Sequence, residues 1–440
     1  MGLGVRLLRI VYTMLMYAAT PVILWRLMFR GIRSHAYFRR WMERFGFFPD
    51  PRLAPAIWIH AVSVGEFNAA IPLIERFLGD HPQRPVVITT ITPTGSERVN
   101  KVYGARVFHV YLPYDLPGPI KRFLNRIRPQ LVVVMETEIW PNLYLTLNAR
   151  GIPVVIANGR LSERSVRGYG PALPLIRAAL RACSWVAAQS QTDADRFLRL
   201  GADPSRLSVE GNIKFDLHVP AGLAEQGIAM RAQWGRSRPT WLAASTHEAE
   251  EAQVLEAHAR ALGRFPDALL LVAPRHPERF KAVYQLCKSY GFRTLQRSED
   301  QLPDRTAQVF VIDTLGELLK FIASSDVAFV AGSLEPIGGH NVLEPAALGK
   351  PVIVGPHTFN FAEITELLIQ EHAALRIRSG IELGGELIKL FANPARMAAL
   401  GTAALATVAR ERGAVTRIYR RLSSLLPAAQ TSTQAQVRPP

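Results

Sequence analysis

The stretch VAFVAGSLEPIGGHNVLEPAALGKPVIVGP, residues 327 to 356, decides how the chain folds. VAFVAG and PVIVG are continuous apolar runs, the pattern of parallel strands buried on both faces. Between them lies a Gly-rich loop and then a helical segment. Strand, glycine loop, helix and strand in succession is the unit of a doubly wound α/β sheet. Gly338 and Gly339 let backbone amides approach a ligand closely. Asn341 is placed to begin the helix that carries Val342, Leu343 and Glu344. A helix start after a glycine turn suits an anion, and an acid such as Glu344 suits ribose hydroxyls. Asn341 and Glu344 also read as a cap pair.

The same rhythm extends back along the chain. IWIHAV, VVITT, VFHVYLPYD, LVVVME, VVIAN and WVAAQS precede that stretch, followed by WLAAST, LLLVAP and VFVID. Amphipathic stretches such as PLIERFL, PIKRFLNRI and DADRFLRLG separate them. At 440 residues the chain exceeds one ordinary core. The expectation is two Rossmann-like domains facing a cleft, 34–212 and 213–427, with the last helix able to pack back on the first domain. The boundary is set by GNIKFDLHVPAGLAEQG, residues 211 to 227, where the strand rhythm pauses. The polar, Pro-containing end, 428–440, reads as a disordered tail.

Residues 1–33 differ from the rest. An apolar stretch from Ile10 to Trp25 is flanked by Arg6 and Arg9 and by Arg26, Arg30 and Arg33. It is short of the about 20 residues of a full span, and Pro21 is expected to kink it. Trp25, Arg26 and Arg30 stand where a cleaved signal peptide needs small residues. Tyr12, Tyr17 and Trp25 near the ends suit a membrane anchor, spanning or lying in one leaflet. A buried core helix is the competing reading. The net charge of +16 calls for an anionic partner. Nucleic acid fits poorly, because there is no zinc spacing, RRM motif or long basic block. Cys183 and Cys287, the two cysteines, form no disulfide framework or metal site and read as core thiols.

Candidate chemistry sits at strand ends, where open α/β sheets bind ligands. Ser63-Val64-Gly65-Glu66 has the capping-box spacing. Glu66 at a helix start can equally serve as a base, kept ionised by the helix dipole. LVVVMETEIWPN places Glu136 and Glu138 on one side after a buried strand, as a structural pair or as acids that position a substrate or cation. Lys214 in GNIKFD is either a surface lysine or a point charge for phosphate. Arg275 follows Pro274 at the end of LLLVAP, with His276 beside it; a guanidinium there clamps phosphate or forms a structural salt bridge. Asp193 and Asp195 have a DxD form but open a helix, which is the reading taken. His247-Glu248 lacks the second histidine of a zincin. AVSVG is one glycine short of a nucleophile elbow and keeps a Ser63 hydrolase open.

HAVSVGEF, TTITPTGSERV, HVYLPYDLPGPIKRFLNRIRP, METEIWPNL, ANGRLSERS, GNIKFD, STHEAEE, PRHPERF and GGHNVLEPAA occur in this order. Together they resemble the bacterial 3-deoxy-D-manno-octulosonic acid (Kdo) transferases of lipopolysaccharide assembly, up to about residue 420. The resemblance implies a GT-B fold and inverting transfer of Kdo from CMP-Kdo to the lipid A precursor lipid IVA. It implies no cofactor or metal, and an anchor at the cytoplasmic face of the inner membrane. It implies Glu66 as general base, with Glu136 and Lys214 stabilising the transition state; Glu138, two residues on, leaves the choice of acid open. Pro274, Arg275, Leu315, Gly316, Glu317 and Asn341, Val342, Leu343 and Glu344 match CMP-binding positions. Other classes kept open are a nucleotide-sugar epimerase, the Ser63 hydrolase and a non-catalytic lipid A-binding membrane protein.

Overall fold

The computed structural model describes residues 2–33, 35–299 and 301–427. The chain folds into two compact units. The first holds the residues up to Asp216 together with those from Arg412 onward; the second is Leu217–Glu411.

In the first unit the apolar runs become β1 (Ala56–His60), β2 (Val86–Thr90), β3 (Phe108–Tyr111), β4 (Pro129–Met135), β5 (Val154–Gly159) and β6 (Trp185–Ala188), and β7 (Leu207–Val209) completes the sheet. Among the described residues this is a seven-stranded sheet in the order β3-β2-β1-β4-β5-β6-β7. The pairings are parallel. The second unit contains β8 (Thr240–Thr246), β9 (Leu269–Pro274), β10 (Thr294–Gln296), β11 (Val309–Val311), β12 (Val327–Val330), β13 (Val352–Val354) and β14 (Ala374–Arg376). Its order is β10-β11-β9-β8-β12-β13-β14, again parallel. Helices cover both faces of each sheet, so the central strands are buried throughout. Trp58, Phe67 and Phe123 in the first unit and Trp241, Phe310 and Phe329 in the second are fully enclosed. Burying side chains of this size contributes roughly 1.5–3 kcal/mol each.

Winding outward in both directions from the first strand creates a switch point in each sheet. It lies between β1 and β4 in the first unit and between β8 and β12 in the second. The residues that follow these strands are therefore gathered at one place in each unit.

The division differs from the expected boundary. Ile213 lies in the first unit's core, in contact with the helix Ala414–Ser424 through a shared apolar cluster that includes Val415, Ile418 and Leu422. Asp216 fixes the start of that helix: its carboxylate accepts the Gly413 and Val415 amides, both at 2.6 Å. The first unit thus extends past residue 212 and reclaims the last helix. Residues 428–440, read as a tail, lie outside the described residues.

The N-terminal helix is longer than its apolar stretch, Leu3–Arg33, and runs through Pro21. Its stretch Leu3–Ile32 is long and apolar enough to cross a membrane, and none of its most apolar window is buried. That exposure removes the core-helix reading. One polar edge docks on the first unit instead. Arg9 Nε donates to Asn142 Oδ1 at 2.9 Å, and the Tyr12 hydroxyl donates to the buried Asp115 carboxylate at 3.0 Å. Leu7, Leu15, Trp25 and Phe29 stay exposed.

Candidate active site

At the first switch point β1 leads into the helix Val64–Asp80, with Ser63 as its N-cap. The capping box forms. Ser63 Oγ accepts the Glu66 amide at 3.3 Å and donates to Glu66 Oε1 at 3.2 Å. Glu66 Oε2 accepts the Val62 amide at 2.8 Å, one residue before the cap instead of the cap residue itself. Ser63 is thus committed to Glu66 and, among the described residues, has no imidazole partner, which sets aside the hydrolase. Glu66 is half-buried. Burial pushes its carboxyl up to about 7, helped by the nearby Glu136 and Glu138 charges and opposed by the Val62 amide and Ser63 hydroxyl. This corrects the expectation that the helix dipole keeps it fully ionised: desolvation outweighs the helix start.

Across the switch point, β4 is followed by Glu136, whose φ of +55° is in the left-handed region. A non-glycine residue rarely sits there without support. Its amide bonds to Ala157 O on β5 at 3.0 Å, and its carboxylate lies 3.5 Å from Lys214 Nζ. Lys214 is no free surface lysine. It sits in a short turn, Ile213–Asp216, held by Asn158, which accepts the Ile213 amide, and Asn212, which accepts the Lys214 amide, each at 3.0 Å. Between the two acids, Glu136 is the one paired with Lys214. Glu138 is half-buried, and burial raises its carboxyl to about 7.

Asp193 is spent on structure. Ser190 Oγ accepts its amide and donates to its carboxylate, which also accepts the Leu161 amide at 2.9 Å. Asp195 is exposed on the same helix. Among the described residues no cluster of His, Cys, Asp and Glu could hold a metal.

In the second unit, Pro274 closes β9 and Arg275 follows, exposed. Among the described residues its guanidinium has no carboxylate partner, so the salt-bridge reading fails and its donors face solvent. Beyond β11, Leu315 is exposed, Gly316 takes a φ of +89°, and Glu317 opens the helix Leu318–Ser324. Glu317 pairs with Arg297 at 3.0 Å and accepts the Thr314 hydroxyl at 2.7 Å. The Arg297 hydrogen bond holds its carboxyl below the usual range.

After β12 the loop turns on Gly338 and Gly339, φ +109° and +74°. The helix behind it starts later than expected and is short, Leu343–Ala347, with Val342 at its cap position. Pro345 lies inside this single turn and a half, so it brings little of the dipole expected to start at Asn341. Asn341 bridges instead, its carbonyl oxygen accepting the Leu343 amide at 3.1 Å and its NH2 donating to Glu344 Oε1 at 3.0 Å. Burial raises the Glu344 carboxyl.

Two features at this second switch point escaped the sequence reading. Glu250, fully buried, accepts the amides of Gly332, Ser333 and Leu334 at 2.6, 3.0 and 2.8 Å. It pins the loop that follows β12. The run of acids in THEAEE was its only signal. The other feature is a histidine pair: His247 Nε2 lies 2.8 Å from His340 Nε2. Their separation of 93 residues left no pattern to read.

Two parallel doubly wound units define a GT-B-like fold. A solved epimerase structure agrees on the fold. The UDP-GlcNAc 2-epimerase from Neisseria meningitidis covers 84% of this chain and 100% of its own at a TM-score of 0.55, with 14% identity. The C-terminal CMP-Kdo binding domain of WaaA from Acinetobacter baumannii is 36% identical, covering 43% of this chain and 98% of its own, at a TM-score of 0.41. Residues 39–217 match the family model of 3-deoxy-D-manno-octulosonic-acid transferase. The chain is 41% identical to the 3-deoxy-D-manno-octulosonic acid transferase of Haemophilus influenzae, over 93% of this chain and 97% of the relative. It is 36% identical to that of Bordetella pertussis, over 92% and 97%. The chain belongs to the Kdo transferase family.

Proposed function

We propose that this enzyme moves Kdo from CMP-Kdo to lipid IVA, with inversion and with Glu66 as general base. The observation that carries the reading is the Glu66 carboxylate, held by Val62 and Ser63 and tuned to about 7. A base with that value is half ionised near neutrality and still basic enough to take a hydroxyl proton as the bond forms. The Glu136–Lys214 pair, one after β4 and the other in the Ile213–Asp216 turn, offers one anion and one cation to the charge that develops during transfer. Arg275 is the phosphate clamp, Pro274 and the Leu315–Glu317 turn border the nucleotide, and Asn341 to Glu344 supply the ribose contact. Loss of CMP is balanced by protein cations in this scheme, with no cofactor assigned. The exposed apolar face of Leu3–Arg33, with its arginines, holds the enzyme at the cytoplasmic face of the inner membrane, where a phosphorylated lipid acceptor resides.

The test is transfer itself. Full-length protein is incubated with lipid IVA and CMP-Kdo generated in situ, and products are weighed by mass spectrometry. Gain of one or more Kdo units is the expected result. No gain, with CMP-Kdo shown to persist and the protein folded, would reject this donor and acceptor pair.

A further inference from the structure

One face of the helix Leu3–Arg33 turns toward the first unit. Val5, Arg9, Tyr12, Thr13, Met16 and Thr20 recur at helical spacing and are half-buried, while Leu7, Val11, Met14 and Leu15 on the other side stay exposed. A membrane tether needs only the exposed side. The docked side reaches the start of the helix Pro141–Ala149, which directly follows the loop of Glu136 and Glu138.

That helix start has no cap of its own, since Trp140 at the cap position makes no side-chain bond. Pro141 has no N–H, and the next two amides are satisfied from outside. The Asp115 carboxylate accepts the Asn142 amide at 2.9 Å and the Leu143 amide at 2.8 Å. Asp115 is buried, and the Tyr12 hydroxyl is a further donor to it. Burial pushes its carboxyl up to about 6, and the two amides, the Tyr12 hydroxyl and the Arg9 charge oppose that rise. Asn142 is fully buried as well. Its NH2 donates to Thr13 Oγ1 at 3.0 Å and to Asp115 O at 2.9 Å, and its side-chain oxygen accepts from Arg9 Nε. Arg9 Nη2 reaches one turn further, to Thr146 Oγ1 at 3.0 Å. From the same helix the enclosed Tyr144 hydroxyl donates back to Glu138 O at 2.5 Å. The loop 136–140 is thus held at one end by β4 and at the other by a helix start on which Arg9, Tyr12 and Thr13 converge.

We propose that Arg9, Tyr12 and Thr13 position the loop 136–140 for transfer, acting through Asn142 and Asp115, so that the membrane helix also braces the active site. This rests on the reading that Glu136 and Lys214 serve Kdo transfer. The three are positioning residues, because their hydrogen bonds to the first unit end on Asn142, Thr146 and Asp115 and not on Glu136. Glu136 holds a φ of +55°, a conformation that the surrounding structure has to impose. Loosening one end of its loop moves the carboxylate, and a displacement of about 1 Å costs up to about 10²-fold in rate.

The experiment times Kdo transfer by full-length protein in detergent micelles, where attachment to a bilayer plays no part. Partition into vesicles of phosphatidylethanolamine and phosphatidylglycerol is measured alongside, with amide hydrogen exchange of residues 136–146. Tyr12→Phe, with an unchanged thermal transition, is expected to keep its partition and its CMP affinity. It is expected to lose about 10- to 100-fold in kcat with little change in KM, and to exchange faster over 136–146. Leu15→Ser, on the exposed side, is expected to do the reverse: weaker partition, with wild-type kcat in micelles. Arg9→Gln serves as the second variant should Tyr12→Phe not fold. Wild-type kcat in a folded Tyr12→Phe or Arg9→Gln, or unchanged exchange over 136–146, overturns the brace while leaving the transfer reading intact. A folded wild type that transfers no Kdo overturns both.

Discussion

The two units share one topology and differ in what stands at its centre. In the first, the ends of β1 and β4 carry Glu66, Glu136 and Glu138, with Lys214 beside Glu136. In the second, the ends of β8, β9 and the β12 loop carry His247, Arg275, His276 and His340. The frame decides where side chains converge; their type decides whether the place accepts protons or holds an anion. Burial makes Glu66 and Glu138 hold their protons more tightly, and a base near neutrality results at Glu66. Burial and the neighbouring cations instead lower the His247 and His340 imidazoles.

Variants of the two centres should therefore fail in different ways. Glu66→Gln should cost between about 10²- and 10⁴-fold in kcat while CMP affinity stays at the wild-type value, checked by single-turnover transfer and calorimetry. It should also raise stability at pH 8. Glu66 holds its proton more tightly in the fold than in the unfolded chain, so its contribution is full at low pH and lost as pH rises through about 7. Removing the charge restores on the order of 2 kcal/mol above that range, visible as a higher Tm. Lys214→Met should lower kcat by about 10²-fold, again with CMP binding kept. Arg275→Ala should do the reverse, weakening CMP about tenfold; equal loss of CMP affinity in Lys214→Met would break the division of labour. The smallest change is Ser63→Ala. It should cost about 1 kcal/mol of stability and move the acid limb of activity to higher pH, because the lost hydroxyl had lowered the Glu66 value.

Much of this arrangement was legible in the sequence. Continuous apolar runs marked most of the strands. The missed ones, β7, β10 and β14, are the short outer strands, partly exposed and therefore without an unbroken apolar run. Placement of Glu66, Glu136, Arg275 and Asn341 at strand ends followed from the same pattern. Ionisation did not, because it depends on burial: Glu66 in a capping box looks the same in sequence whether solvent reaches it or not. Ser190 and Asp193 show this, with the same spacing and a fully enclosed carboxylate that only caps and braces. The helix expected to begin at Asn341 begins at Leu343, because the Asn341 side chain accepts the Leu343 amide ahead of it. The return of Ala414–Ser424 to the first unit was among the expectations, whereas the meeting of His247 with His340 is a long-range contact that no local period encodes.

The most direct measurement of Glu66 as the base is the pH dependence of log kcat/KM for Kdo transfer, between about pH 5.5 and 9. A base at about 7 predicts a rise of about one log unit per pH unit below that value and a plateau above, with the break moved upward in Ser63→Ala. A flat profile across that range, or a break unmoved by Ser63→Ala, would contradict Glu66 as the base.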